Sequence, residues 1–191
     1  MRVIAGKYRG KILSPPQNKN FRPTTDRIKE TMFNILVSKG VIQDAVVLDL
    51  FCGSGALGIE ALSRGAKSVI FNDAGLKSIA VTKKNLDVCG IKAQVMSLDY
   101  SFALKKLKDE RFDLIFIDPP YDETYATKLF DLINEYEILR GDGVIVFEHY
   151  VKKDLQFLKD RFIIDNRACG NTALSFLTLK DKVLENSNEE K

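Results

Sequence analysis

A chain of 191 residues is long enough for one domain with a complete hydrophobic core and is short for two. Apolar residues make up 45% of it and charged residues 29%, as in ordinary globular proteins, and no apolar stretch reaches the length of a membrane span. The opening residues lack a secretory signal, and the three cysteines have no metal-ligand spacing. We therefore expect a cytoplasmic protein with reduced thiols, no metal and no membrane partner.

The net charge of +3 is unevenly distributed along the chain. Residues 1–40 carry nine lysines and arginines against two acids, a net charge of +7, so residues 41–191 together carry −4. A basic segment on a mildly acidic domain suits the binding of a polyanion. The charge alone is equally consistent with a solvated, lysine-rich face.

Residues 1–40 have a pattern of their own. Short extended pieces at 2–5 and 11–13 predict a hairpin, and the proline-containing stretch 15–20 predicts a loop. Thr25 can cap a helix whose apolar residues recur at helical spacing and which ends near Gly40. We interpret this segment as a basic N-terminal extension with its own small apolar face.

From residue 45 onward, strands alternate with helices. Strands are predicted at 45–51, 68–73, 93–97, 112–118 and 143–148, and helices at 55–64, in a segment ending near 89, at 102–107 and at 125–136. Such repeated units predict an α/β, Rossmann-like, doubly wound sheet that is mostly parallel, with helices on both faces. Two more strands, at 161–167 and 172–179, make it a seven-stranded sheet with one reversed strand. The domain would span 41–182, and 183–191 would form a polar tail.

A glycine-rich turn follows the first predicted strand. Gly53, Gly55 and Gly58 have the spacing of a nucleotide-cofactor fingerprint, after a strand and at the start of a helix. The glycines allow a tight turn and a close approach of the cofactor, and the last one allows helix and strand to pack closely. Asp73 ends the next strand, where a carboxylate can accept hydrogen bonds from both ribose hydroxyls. The alternative for Asp73 is a plain surface acid.

The acid at the end of the first strand distinguishes between cofactors. A dinucleotide would place its pyrophosphate at this turn, where the negative charge of Asp49 is unfavourable. S-adenosylmethionine has a cationic sulfonium and an ammonium group, which suit the same carboxylate. Asp99 closes the third strand, where it can accept a hydrogen bond from an adenine amine, cap a helix, or do both. We therefore predict S-adenosylmethionine as the cofactor, held by Asp49, Phe51, Gly53, Gly55, Asp73 and Asp99.

The sequence Asp118-Pro119-Pro120-Tyr121 ends the fourth predicted strand and indicates the chemistry. Open α/β sheets bind ligands beyond the carboxyl ends of their strands, so this corner faces the cofactor. Asp118 and a proline carbonyl on the rigid rim can accept both hydrogens of a planar amine. Tyr121 offers a face on which an extruded base can stack. Asp118, Pro119 and Tyr121 are the predicted catalytic residues; the alternative is a proline-rich loop with an incidental aromatic residue.

Two segments resemble known methyltransferases. Residues 49–66, together with Asp-Pro-Pro-Tyr, are similar to the class I amino-methyltransferases. Residues 22–34 are similar to the signature of the bacterial RsmD-type 16S ribosomal RNA guanine-N2 methyltransferases, and the similarity covers nearly the whole chain. Asp-Pro-Pro-Tyr alone is shared with DNA-adenine and glutamine methyltransferases, whereas the N-terminal signature is more specific.

The resemblance implies that a methyl group moves from S-adenosylmethionine to the exocyclic N2 of a guanine in 16S ribosomal RNA. The partner would be the small ribosomal subunit or its assembly intermediate, and 1–40 would dock the RNA. Four residues match the family signature and are expected to frame the pocket or the RNA path. With two basic residues of the predicted hairpin, the expected RNA-binding set is Arg9, Lys11, Arg22, Thr24, Arg27 and Glu30.

Two alternative functions share parts of this pattern. A DNA-adenine N6 methyltransferase would have the same catalytic corner, although we expect no separate target-recognition domain in so short a chain. An RNA-binding ribosome assembly factor with a vestigial cofactor site would keep the basic segment. The intact Gly53, Gly55, Asp73 and Asp118 argue against that second alternative.

Overall fold

The computed structural model describes residues 1–15, 26–119 and 125–180. Within them, seven strands form one sheet in the order β3-β2-β1-β4-β5-β7-β6. The strands are β1 (Val46–Asp49), β2 (Ser68–Asn72), β3 (Gln94–Met96), β4 (Phe112–Ile117), β5 (Leu139–Tyr150), β6 (Phe162–Cys169) and β7 (Thr172–Leu179). The helices are α1 (Asp26–Ser38), α2 (Ala56–Ser63), α3 (Leu76–Cys89), α4 (Tyr100–Lys106) and α5 (Tyr125–Glu135), and a 3₁₀ turn covers Gln156–Leu158.

The first five strands are parallel, and the last pair closes the sheet. Strand β7 runs antiparallel to both of its neighbours, β5 and β6. This confirms the predicted Rossmann-like sheet of seven strands with one reversed. Helices α2 to α5 make the crossovers between consecutive parallel strands, so the carboxyl ends of β1 to β5 lie at the same edge of the sheet.

Helices cover both faces of the sheet, as adjacent residues of β4 show. Leu114 and Phe116 belong to a core shared with α1, α2 and α3, whereas Ile115 and Ile117 belong to a core shared with α4 and α5. All four side chains are at most 1% exposed. The continuous apolar run of this strand therefore matches a strand that is buried on both faces.

The N-terminal hairpin packs directly on α2. Val3 donates its N–H to the carbonyl of Lys11 at 3.0 Å, and the side chains of Val3 and Leu13 are buried in the same core as α2 and α3. Gly6 has a φ of +81°, and a Cβ at that position would lie 1.7 Å from the carbonyl oxygen of Ser63. The predicted hairpin is confirmed, and the apolar face of the N-terminal extension packs into the main core of the domain.

Strand β5 is longer than its apolar run predicts. The sequence indicates 143–148, whereas the strand begins at Leu139, which pairs with Phe112, and ends at Tyr150, which pairs with Thr172. The neighbouring strands supply hydrogen-bonding partners beyond the apolar run. The predicted cap Thr25 and the predicted tail 183–191 lie outside the described residues. In the part of the chain that the structure describes, no helix is long and apolar enough to cross a membrane.

Candidate cofactor and catalytic site

Acidic side chains gather at the carboxyl edge of the parallel strands. The predicted residues Asp49, Asp73, Asp99 and Asp118 lie at or just beyond the ends of β1, β2, β3 and β4. Because parallel strands end at one edge, the topology brings all four to the same side of the sheet. Glu148, near the end of β5, joins them there.

The glycine turn after β1 has the backbone conformation that requires glycine. Gly53 and Gly55 have φ angles of +55° and +76°, in the left-handed region that other residues rarely adopt. A Cβ on Gly58 would lie 2.3 Å from the ring of Phe71, so this glycine is needed for α2 to pack against β2. The third glycine therefore has the packing role that the fingerprint predicts.

Asp73 is held in place by two backbone amides. Gly53 donates its N–H to Oδ2 at 2.9 Å, and Gly75 donates its N–H to Oδ1 at 2.7 Å. Each carboxylate oxygen can accept more than one hydrogen bond, and the side chain is only half-buried. An oriented carboxylate with spare acceptor capacity on both oxygens is what two adjacent ribose hydroxyls require.

Asp49 has a structural partner as well as a place at the site. Its side chain is 2% exposed, and Oδ2 accepts the N–H of Gly58 in the first turn of α2 at 3.0 Å. Burial raises the pKa of Asp49 to about 7, with a further upward contribution from Asp73, while the Gly58 hydrogen bond lowers it. The carboxyl therefore stabilises the start of α2 and holds its proton more tightly than an exposed aspartate does.

Asp99 caps α4. Its Oδ1 accepts the N–H of Ser101 at 2.9 Å and the Ser101 hydroxyl at 2.6 Å. The capping interpretation of this residue is confirmed. Its contact with an adenine amine stays a prediction, and it is compatible with the cap because the side chain is exposed.

An aromatic cluster lies beside these acids. The ring of Phe51 is 6.2 Å from that of Tyr100 and 5.7 Å from that of Tyr125, and the two tyrosine rings are 4.4 Å apart between centroids. Burial raises the pKa of Tyr125, and the negative charges of Asp99 and Asp73 raise it further. The sequence patterns missed both tyrosines, because each opens a helix and nothing local marks it as part of a site.

Asp118 follows β4 and has two acidic neighbours. The pairing of Ile117 with Phe147 sets Asp118 level with Glu148 on the adjacent strand. Burial raises the pKa of Asp118 well above its usual value, and the charges of Glu148 and Asp49 raise it further. Pro119 is half-buried beside it. Pro120 and the predicted stacking residue Tyr121 lie outside the described residues.

The predicted RNA-binding residues fall into separate places. Arg9 and Glu30 line a groove of about 430 Å³ between the hairpin and α1, with Arg2, Asp26, Asn34 and Arg64. Lys11 is exposed on the hairpin, and Arg27 is exposed near the start of α1. Neither of those two lines the groove. Arg22 and Thr24 lie outside the described residues.

Glu60 of α2 joins the hairpin to the helices, which the sequence patterns did not indicate. This fully buried carboxylate accepts the N–H groups of Ile4 and Ala5 at 2.8 and 3.0 Å. It also pairs with Arg64 at 2.8 Å and with Lys29 at 3.5 Å. Lys29 is itself buried, and this burial lowers the pKa of its ammonium group. One of the nine basic residues of 1–40 thus serves the core rather than the surface.

The fold is that of solved methyltransferase structures. The structure of yhhF from Escherichia coli matches with a TM-score of 0.84 and 31% identity, over 94% of this chain and 97% of that one. A Rossmann-like sheet with the reversed β7, a glycine turn and an acid after β2 define a class I S-adenosylmethionine-dependent methyltransferase.

The chain belongs to the family described as Conserved hypothetical protein 95, which matches residues 1–178 and is of the RsmD type. YlbH of Bacillus subtilis is 43% identical over 153 residues, which are 78% of this chain and 82% of YlbH. Ribosomal RNA small subunit methyltransferase D of Escherichia coli is 36% identical over 157 residues, which are 81% of this chain and 77% of that protein.

Proposed function

We propose that this protein methylates the exocyclic N2 of a guanine in 16S ribosomal RNA, in the cytoplasm, on the small subunit or its assembly intermediate. One observation carries the proposal: the glycine turn with Asp73 and the Asp118-Pro119 corner lie at the same edge of one sheet. The similarity to a protein named ribosomal RNA small subunit methyltransferase D supports RNA as the substrate. The residue roles below belong to the proposal.

The cofactor side of the site begins at Asp73. Because the amides of Gly53 and Gly75 fix this carboxylate, it meets the ribose hydroxyls without first having to be ordered. Asp99 accepts a hydrogen bond from the adenine amine, and the aromatic cluster of Phe51, Tyr100 and Tyr125 packs against the adenosine. S-adenosylmethionine supplies a methyl group on a cationic sulfonium, whose charge Asp49 balances.

Asp118 holds the target amine. Its carboxylate and the carbonyl of Pro119 accept the two amine hydrogens, which draws the nitrogen lone pair out of conjugation with the ring. As the N–C bond forms and the C–S bond breaks, with its electron pair passing to sulfur, the nitrogen loses a proton. Burial, with the negative charges of Glu148 and Asp49, raises the pKa of Asp118, so its ionised carboxylate is a stronger base for that proton than an exposed aspartate would be.

The N-terminal hairpin and α1 dock the RNA. Arg9 and Lys11 present exposed charges on the hairpin, and Arg27 does so on α1. Contacts of this kind with phosphates give affinity without reading bases. The hairpin is a firm platform because Glu60 and the main core hold it in place.

The test is transfer of a labelled methyl group to defined substrates. The protein is incubated with labelled S-adenosylmethionine and, in parallel, with unmethylated small subunits, naked 16S ribosomal RNA and duplex DNA. We expect label in N2-methylguanosine at one position of the RNA. Label in N6-methyladenine of DNA would establish the DNA-methyltransferase alternative, and cofactor binding without transfer to any substrate would favour the assembly-factor alternative.

A further inference from the structure

Two buried side chains of α3 hold the backbone of the glycine turn. Thr82 donates its hydroxyl to the carbonyl of Gly53 at 3.0 Å, and Asn85 donates from Nδ2 to the carbonyl of Ser54 at 2.9 Å. Both side chains are fully buried, and they lie three residues apart, on one face of the helix. Each therefore fixes one peptide of the turn against which the cofactor binds.

Asn85 also holds the N-terminal hairpin, and Thr82 makes no such bond among the described residues. Ser14, at the end of the hairpin, donates its N–H to Oδ1 of Asn85 at 2.8 Å, and its carbonyl accepts from Nδ2 at 3.0 Å. Both N–H groups of the amide and its oxygen are thus engaged. If the amide were rotated by half a turn, its NH₂ group would face the Ser14 N–H and its oxygen would face two carbonyls. These partners therefore define a single orientation of the side chain.

The shared amide makes the two segments depend on each other. If the hairpin lifts away, Asn85 loses two of its three partners while buried, and an unsatisfied buried amide is costly. The side chain is then free to reorient, and the Ser54 peptide is no longer fixed. Conversely, a turn that a ligand holds in place keeps Asn85 oriented towards Ser14.

We infer that Asn85 is a positioning residue that couples order in the N-terminal hairpin to occupancy of the cofactor site. The hairpin carries Arg9 and Lys11, so RNA docking and cofactor binding favour each other through this amide; that consequence rests on the proposed function. By thermodynamic linkage the effect is reciprocal. If a ligand at the glycine turn strengthens RNA binding by some factor, RNA on the hairpin strengthens binding of that ligand by the same factor.

Hydrogen exchange tests the coupling without RNA. Exchange of the Ser14, Val3 and Leu13 amides is measured with and without saturating S-adenosylhomocysteine. In the wild-type protein we expect the ligand to slow these amides by about fivefold or more. In Asn85→Ala they should exchange faster, and the ligand should no longer slow them. Asn85→Asp, which keeps an acceptor for the Ser14 N–H but loses the donor to the Ser54 carbonyl, should likewise lose the ligand-induced slowing and replaces Asn85→Ala if that variant does not fold.

Thr82→Val is the matched control, with the same helix, burial and glycine turn. It should weaken S-adenosylhomocysteine binding, yet at saturation the hairpin amides should still be slowed as in the wild type. Ligand-induced slowing that persists in both Asn85 variants would overturn the inference. In a second arm, RNA affinity is measured with and without the ligand. A wild-type protein that shows the hairpin effect but binds no RNA would contradict the proposed function and leave the Asn85 link standing.

Discussion

Gly53 donates its backbone N–H to Oδ2 of Asp73 at 2.9 Å, which ties the turn after β1 to the end of β2. The residue proposed to bind the ribose is thus also a structural partner of the turn on which the cofactor rests. Any substitution of Asp73 therefore changes the proposed ribose contact and the support of the turn.

Asp73→Ala should weaken binding of S-adenosylmethionine by about a hundredfold or more, because two ribose hydroxyls lose their acceptor and charge-assisted hydrogen bonds contribute about 1.5–3 kcal/mol each. Titration calorimetry gives the affinity. Asp87→Ala removes an exposed acid from α3 and should leave the affinity unchanged. An unchanged affinity in Asp73→Ala would mean that the ribose partner lies elsewhere.

Asp49 should make folding stability depend on pH. Its pKa is about 7 when folded, above the value of roughly 4 for an unfolded aspartate. The folded state therefore binds the proton more tightly, and stability should fall as the pH rises from about 4 to about 7. Asn at this position can still accept from Gly58 but carries no charge. Urea denaturation should show the stability of Asp49→Asn rising relative to that of the wild type by about 2.5 kcal/mol between pH 5 and pH 8. A constant difference across that range would exclude a raised pKa at Asp49.

Tyr121 should contribute to binding of the target base, and Tyr125 should contribute to binding of the cofactor. Tyr121→Ala should cost about 1–3 kcal/mol of base binding through lost stacking, and Tyr121→Phe should stay active. Tyr125→Ala should instead weaken cofactor binding, because its ring packs with Phe51 and Tyr100. Separate titrations with S-adenosylhomocysteine and with an RNA fragment distinguish the two. A Tyr121→Phe variant as damaged as Tyr121→Ala would indicate a role for the hydroxyl rather than for stacking.

Neutralising Arg9 and Lys11 should weaken RNA binding and leave cofactor affinity nearly normal. Deleting the hairpin would also destabilise the fold. The buried Glu60 would lose its hydrogen bonds from the N–H groups of Ile4 and Ala5, and the core would lose Val3 and Leu13. The double variant Arg9→Ala/Lys11→Ala should reduce the slope of log affinity against log salt by about 0.7 per lost phosphate contact on single strands. Lys108→Ala/Lys159→Ala removes two exposed charges elsewhere and should not change it. An unchanged slope in the hairpin variant would mean that Arg9 and Lys11 are solvated surface charges that do not contact the RNA.

The local parts of this structure could be predicted from the sequence. The run 114–117 is apolar throughout because β4 is buried on both faces, and Gly53 and Gly55 lie between a strand and the helix that follows it. Such signals lie within one element. They were enough for the order of strands and helices, for the reversed strand and for the acids at the carboxyl edge.

The rest depends on contacts between distant segments. Glu60 lies 56 residues from Ile4, and Asn85 lies 71 from Ser14, so no window of the sequence contains either pair. Lys29 adds to the basic charge of residues 1–40, and only the fold shows it paired with Glu60 inside the core. Glu148 follows the apolar run of β5, and its importance comes from Asp118, which follows the adjacent strand β4.

Single-turnover methyl transfer by Asp118→Ala tests the central claim most directly. Wild type and variant, each saturated with S-adenosylmethionine, are mixed with unmethylated small subunits, and the methylated nucleoside is identified and timed. The wild type should form N2-methylguanosine, and the variant should bind the cofactor normally but form it on the order of a hundredfold more slowly, as expected for loss of one transition-state hydrogen bond. Equal rates in the two proteins, or a different methylated nucleoside from the wild type, would contradict the account.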